Sequence, residues 1–181
     1  MSRALFLDRD GTLVREVDYL RCMKDLELLP GVAQALQDAG AAGFLRLVIT
    51  NQSGVARGFF GAEFVADVHR EMRRRLQGQG ADLEGIYACP HHPEITGPCV
   101  CRKPAPGLVL RAAREHGVDL ARSWVVGDKP ADLELGRRAG CRTALVRTGY
   151  GSATEGRLGE LGLRPEVIAD DLSGAVEEIL P

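Results

Sequence analysis

Lysine is nearly absent from this chain. Of its 23 basic residues only Lys24, Lys103 and Lys129 are lysine, the rest being arginine. Aromatic residues are also few, at 5%, and no apolar run approaches the length of a membrane span. The net charge of -2 leaves no basic or acidic excess that would draw nucleic acid or a membrane surface. A phosphorylated partner must therefore be met by local groups. Neither a Walker sequence nor a Gly-x-Gly-x-x-Gly after a strand occurs, which disfavours nucleotide-binding folds of those kinds. Only four consecutive apolar residues, Ala4 to Leu7, precede Asp8, too few for the hydrophobic core of a signal peptide. The expectation is a cytoplasmic monomer with no nucleic-acid or membrane partner. Five cysteines, an odd number, argue against a disulfide framework; Cys89, Cys99 and Cys101 cluster, and in a reducing compartment clustering suggests metal. Cys22 and Cys141 stand apart and read as buried thiols.

What the chain does contain is 181 residues with 45% hydrophobic content, enough for one domain spanning 1–181 with a proper core. Apolar runs at Ala4–Leu7, Leu45–Ile49, Gly85–Ala88, Trp124–Val126, Thr143–Val146 and Glu166–Ala169 read as strands. Helical patterns lie between them, at about Pro30–Ala41, Ala62–Leu76, Pro104–His116, the stretch up to Gly140, and Leu172–Leu180. Thr148 to Arg164 reads as an irregular glycine-rich loop with room for one helical turn. Alternating strands and helices predict an α/β fold, a Rossmann-like three-layer sandwich with a mainly parallel sheet.

Such sheets bind ligands at the carboxyl ends of their strands. Asp8 follows the first strand, Thr50 the second and Asp128 the fourth, so the three should converge. Asp8 and Asp10 are one residue apart, and in extended chain their side chains project to the same side. Two carboxylates that close repel unless a cation or shared proton lies between them. On its own the pair could equally be an acidic turn; convergence with Asp128 favours a site. Three carboxylates suit a hard divalent cation that keeps several waters, the usual magnesium arrangement. A carboxylate nucleophile beside a cation points to phosphoryl transfer, in which Thr50, Lys103 and the backbone donors of Asn51 to Gly54 could contact the transferring oxygens.

Five segments together, Asp8-Arg9-Asp10-Gly11-Thr12, Thr50-Asn51-Gln52-Ser53-Gly54, Cys89-Pro90-His91-His92-Pro93, Cys101-Arg102-Lys103-Pro104 and Gly127-Asp128-Lys129, resemble the haloacid dehalogenase superfamily. Within it they are similar to the group that also holds the histidinol-phosphate phosphatases. The resemblance spans nearly the whole chain and implies a magnesium-dependent phosphatase acting through an aspartyl phosphate. It implies Asp8 as nucleophile and Asp10 as general acid and base. Magnesium would be held by Asp8, the Asp10 carbonyl and Asp128. Thr50 and Lys103 would hold the phosphoryl group, while Arg102 and Lys129 would recognise substrate.

Cys89-x-His91 followed by Cys99-x-Cys101 carries the ligand types of a closed structural zinc site, with tighter spacing than Cys-x-x-Cys; the resemblance strengthens that reading. The zinc should fix where Lys103 points, since Cys101 lies two residues before it. Larger relatives insert a cap domain, for which this chain has no room. The site should therefore be open, with specificity resting on short loops: Glu16, Val17, Asp18 and Tyr19; Asn51, Gln52, Ser53 and Arg57; and Arg102. That suits removal of a terminal phosphate from an extended small-molecule sugar bisphosphate. Histidinol phosphate is the nearest alternative substrate, and a non-catalytic zinc-stabilised phosphosugar-binding module is the alternative from another class. Asp132 could sit near the metal or simply stabilise a helix start. Arg57 could meet a second phosphate or be an ordinary exposed loop residue.

Overall fold

A computed structural model describes residues 1–180. Six strands form one parallel sheet: β1 (Arg3–Leu7), β2 (Phe44–Asn51), β3 (Gly85–Cys89), β4 (Trp124–Gly127), β5 (Arg142–Val146) and β6 (Val167–Ala169). Their spatial order is β3-β2-β1-β4-β5-β6, so β1 lies inside the sheet, with Leu7 opposite Val48 on one side and Val126 on the other. The order reverses direction on either side of β1, and the mouth of such a crevice is where α/β sheets place their ligands.

The alternation of β1 decides how the layers pack. Leu5 and Leu7 face one cluster, where α1 (Val32–Ala41), α2 (Ala62–Gln77) and α8 (Leu172–Ile179) contribute Leu36, Met72 and Val176. Ala4 and Phe6 face the other, covered by Val109 of α4 (Gly107–His116) and Leu135 of α5 (Pro130–Ala139). Burying each large aliphatic or aromatic side chain in this way contributes about 1.5–3 kcal/mol. The three-layer α/β sandwich expected from the sequence is the observed one.

Several boundaries differ from expectation for local reasons. β2 continues through Thr50 and Asn51, which pair with Ala88 and Cys89 of β3, so Thr50 lies inside the strand rather than following it. α4 begins at Gly107, and Pro104 and Pro106 precede the helix. Gly107 donates its backbone N–H to Val100, fastening the cysteine segment to the helix start. That segment contains one short helix, α3 (Pro93–Thr96), and the stretch after β5 holds two, α6 (Gly151–Glu155) and α7 (Leu158–Leu161), where the sequence predicts a loop with room for one helical turn. Cys141 is buried as expected, but Cys22 is exposed, because it precedes a 3-10 turn (Met23–Asp25) on the outside of the loop between β1 and α1. No helix among the described residues is long and apolar enough to cross a membrane.

Candidate active site

The carboxyl edge of β1 delivers Asp8 directly, its backbone N–H bonded to the Val126 carbonyl of β4 at 3.0 Å. Gly11 turns the chain away with φ +86°, and a Cβ there would run into the Asp128 carboxylate. Glycine is required at this position both for the left-handed conformation and for the close approach.

Asp8 is paired with Lys103, whose Nζ lies 2.8 Å from its Oδ1 and 2.7 Å from Asp132 Oδ1. Asp132 combines two duties. Its other oxygen accepts the Lys129 N–H at 3.0 Å and caps α5, while its first oxygen anchors Lys103. The helix-start reading is thus correct but incomplete. Asp8, Asp128 and Asp132 are all buried and present ligand atoms within 4.8 Å of one another. Burial pushes Asp128 up to about 7, against the pull of Lys129 and helped by Asp8 and Asp132. Burial opposes charge on Asp8 too, yet the ammonium groups of Lys103 and Lys129 outweigh it and hold that carboxyl below its ordinary value.

A cation belongs among these oxygens. The Lys129 ammonium lies 3.1 Å from the Asp10 carbonyl, 3.2 Å from Asp128 Oδ1 and 3.7 Å from Asp8 Oδ2, with Glu16 Oε2 at 2.8 Å. Two carboxylates and a carbonyl around one positive charge form the hard oxygen set that magnesium takes, so the residues fit the ion. Asp128 is held in turn by the Tyr150 N–H at 2.8 Å, and its carbonyl by Thr154 Oγ1 at 2.7 Å.

Asp10 is gripped from the other side. Arg9 Nε and Nη2 fork onto its carboxylate, and Gln52 Nε2 donates to Oδ2 at 2.9 Å. Gln52 also donates to Thr50 Oγ1 at 2.8 Å, which links the ends of β1 and β2 through one side chain.

Cys89, His91, Cys99 and Cys101 gather their donor atoms into one cluster. The Sγ atoms lie 3.1 to 3.7 Å apart, and His91 Nδ1 is 3.2 Å from Cys101 Sγ. Tetrahedral zinc with Zn–S bonds of about 2.3 Å places sulfurs at about 3.8 Å, close to this arrangement. The three thiols and an imidazole therefore fit zinc. Asn51 connects the cluster to the site by accepting the Lys103 N–H at 3.0 Å and donating to the Lys103 carbonyl at 3.2 Å. Gln52 donates its backbone N–H to Cys89 at 2.7 Å, and Arg102 reaches the His91 carbonyl at 3.1 Å.

One pocket at this edge is lined by Asp8, Asp10, Glu16, Asp18, Tyr19, Asn51, Gln52, Ser53, Arg102, Lys103 and Lys129, all singled out in the sequence. Thr50 and Asp128 lie fully buried beneath it. Val17 packs against the core, and Arg57 reaches His92 rather than the pocket. Asp18 and Tyr19 adopt left-handed backbone, with φ of 42° and 70°, while Glu16 accepts the N–H groups of Val17 and Asp18. Sequence reasoning missed Arg9 and Tyr150, which also line the pocket. The rule that placed Asp8 and Asp128 could have found Tyr150, since it follows β5 at the same edge. Arg9 lies inside the first motif and forks onto its neighbour Asp10, but its other partners, His69 and Gln52, come from α2 and from the loop after β2.

The comparisons with known proteins agree with this geometry. The HAD-hydrolase-like family profile matches residues 100–175. The D-glycero-D-manno-heptose-1,7-bisphosphate 7-phosphatase of Thermosynechococcus vestitus is 40% identical over 185 residues, covering 97% of this chain and 94% of its own. A Pseudomonas aeruginosa relative, named for the β anomer of the same heptose, is 36% identical and covers 99% of both chains. The crystal structure of D,D-heptose 1,7-bisphosphate phosphatase from B. bronchiseptica, complexed with magnesium and phosphate, superposes with a TM-score of 0.89 at 36% identity, covering 99% of this chain and 98% of that one. This chain belongs to the family of D-glycero-D-manno-heptose 1,7-bisphosphate 7-phosphatases, within the haloacid dehalogenase-like hydrolases.

Proposed function

We propose that this protein removes the 7-phosphate of D-glycero-D-manno-heptose 1,7-bisphosphate, leaving heptose 1-phosphate for nucleotide-activated heptose and lipopolysaccharide core synthesis. The observation that carries this reading is the ion-paired Asp8 at the sheet edge, flanked by Lys103 and by a cation position. Asp8 Oδ attacks phosphorus and the bond to the C7 oxygen breaks, while Asp10 gives that oxygen a proton. Asp10 then takes a proton from the water that attacks the aspartyl phosphate, releasing phosphate and restoring Asp8. Thr50 and Lys103 hold the transferring group, Lys103 neutralising oxygens on which charge develops. Magnesium, held by Asp8, Asp128 and the Asp10 carbonyl, supplies Lewis-acid neutralisation of the phosphoryl oxygens. Arg102 and Lys129 contribute to substrate recognition, with Glu16 to Tyr19 and Asn51 to Ser53 shaping the rim.

Histidinol phosphate would need an acidic or aromatic group to meet its amine. Glu16 is committed to Lys129 at 2.8 Å, while Asp18, Tyr19 and Tyr150 line the same pocket, so direct comparison of the two substrates decides between them. The β anomer is the first substrate to assay, given the name of the Pseudomonas relative. Replacing Asp8 by asparagine is expected to leave the fold intact and to lower kcat at least about 1,000-fold, since no other group supplies the nucleophile. Residual activity within about tenfold of the unmodified enzyme, measured as phosphate release, contradicts Asp8 as nucleophile.

A further inference from the structure

Arg9 is 2% exposed between the two motif carboxylates, and no step of the reaction above employs it. All three of its guanidinium nitrogens have defined partners. Nε and Nη2 fork onto Asp10, Nη2 also reaches Gln52 Oε1 at 3.1 Å, and Nη1 meets His69 Nε2 at 3.3 Å. A guanidinium donates and cannot accept. His69 therefore presents its lone pair on Nε2 and carries its proton on Nδ1. His69 comes from the middle of α2, outside the pocket-lining set.

We infer that His69 and Arg9 are positioning residues for proton transfer: His69 fixes the Arg9 guanidinium, which together with Gln52 sets the orientation of the Asp10 carboxylate. The inference rests on Asp10 as the acid and base of the proposed reaction. Without the His69 acceptor a buried N–H of Arg9 loses its partner, and the guanidinium must turn to find another. Its grip on Asp10 turns with it. Burial, with the Arg9 charge beside it, pushes His69 down to about 3, so the ring remains a neutral acceptor throughout the working range. A misplacement of about 1 Å in a proton-transfer group is enough to cost about 100-fold in rate. No further contact with substrate is required of either residue.

The test compares H69F, which keeps a ring but offers no acceptor, with H69Q, whose amide oxygen restores one. Each is assayed with heptose bisphosphate and, in rapid mixing, with p-nitrophenyl phosphate, whose nitrophenolate leaves without being protonated. H69F is expected to lower kcat on the bisphosphate about tenfold with KM within about twofold, and H69Q to recover most of the loss. The nitrophenolate burst that reports phosphorylation of Asp8 should keep its rate in H69F, while the steady state that follows it slows. Circular dichroism and melting establish that the variants are folded, and H69L is read in the same way where H69F is not. A folded acceptor-free variant with unchanged kcat on the bisphosphate overturns the inference. So does a proportional loss across kcat, KM and burst rate, or an H69Q no better than H69F. D10N separates the two claims. If D10N is impaired and H69F is not, the positioning role fails; if D10N is unimpaired, the acid and base reading beneath it fails.

Discussion

Lys103 and Lys129 are two of only three lysines in the chain, and the geometry supplies a reason for lysine in each place. Lys103 fits one compact charge between Asp8 and Asp132, both within 2.8 Å, where a planar guanidinium would need a wider gap. Lys129 sits among the oxygens that suit magnesium, so the ammonium and the metal compete for one position. Replacing Lys129 by methionine is expected to tighten magnesium binding in the absence of substrate and to raise KM for the bisphosphate; titration calorimetry and steady-state kinetics report the two effects separately. Magnesium affinity unchanged in K129M would show that the ammonium does not contest the site. At this scale the sequence was most informative where residues act close to their motif: Asp8, Asp10 and Lys103 are where the spacing placed them. It did not show that Arg9 is shared between the adjacent Asp10 and two acceptors 43 and 60 residues away in the chain, Gln52 and His69. Asp132 was read as cap or metal neighbour because its partner Lys103 arrives from another element.

Among elements, the segment from Cys89 to Cys101 has the greatest leverage on the site. It is short, carries only the four residues of α3, and holds few buried side chains of its own. Backbone bonds from Gly107 and Gln52 tie its ends, and the cluster of three thiols and one imidazole ties its two halves to each other. Structural zinc binding is worth about 10–16 kcal/mol in small peptides, comparable with the net stability of a whole domain. Chelating zinc at saturating magnesium is expected to lower kcat, because Lys103 and Arg102 lose the backbone that aims them. Circular dichroism should meanwhile show the α/β core retained. A zinc-free protein, verified by metal analysis, that turns over at the original rate would sever the cluster from the site. The ligand pattern was visible in the sequence as residue types. The tie from Asn51 to both backbone groups of Lys103 was not, since it depends on how β2 and β3 align.

For the molecule as a whole, the sheet order β3-β2-β1-β4-β5-β6 explains why groups scattered from Asp8 to Tyr150 meet at one edge. Strand and helix alternation made that architecture legible, because each buried strand is an apolar run and each helix an amphipathic one. Strand ends and the short helices after β5 were less legible, being set by pairing partners and by contacts such as Gly151 against Val146. The half-buried His69 also ties global stability to pH. Its value falls from the ordinary 6.5 to about 3 on folding. Between those limits the unfolded chain binds a proton that the native fold refuses, so this group makes stability fall as pH falls from 6.5 towards 3. The loss is up to about 1.4 kcal/mol per pH unit. Urea denaturation at pH 6.5 and 4.5 should show a smaller acid-side loss for H69F than for the unmodified protein, and equal losses would contradict a His69 held neutral by the fold.

The proposed reaction removes the C7 phosphate and leaves the anomeric one in place. Phosphorus NMR of heptose 1,7-bisphosphate incubated with enzyme and magnesium resolves the ester on C7 from the one on the anomeric carbon. The C7 signal should disappear into inorganic phosphate while the anomeric signal persists, faster than histidinol phosphate is hydrolysed under the same conditions. Loss of the anomeric phosphate, or quicker turnover of histidinol phosphate, would contradict it.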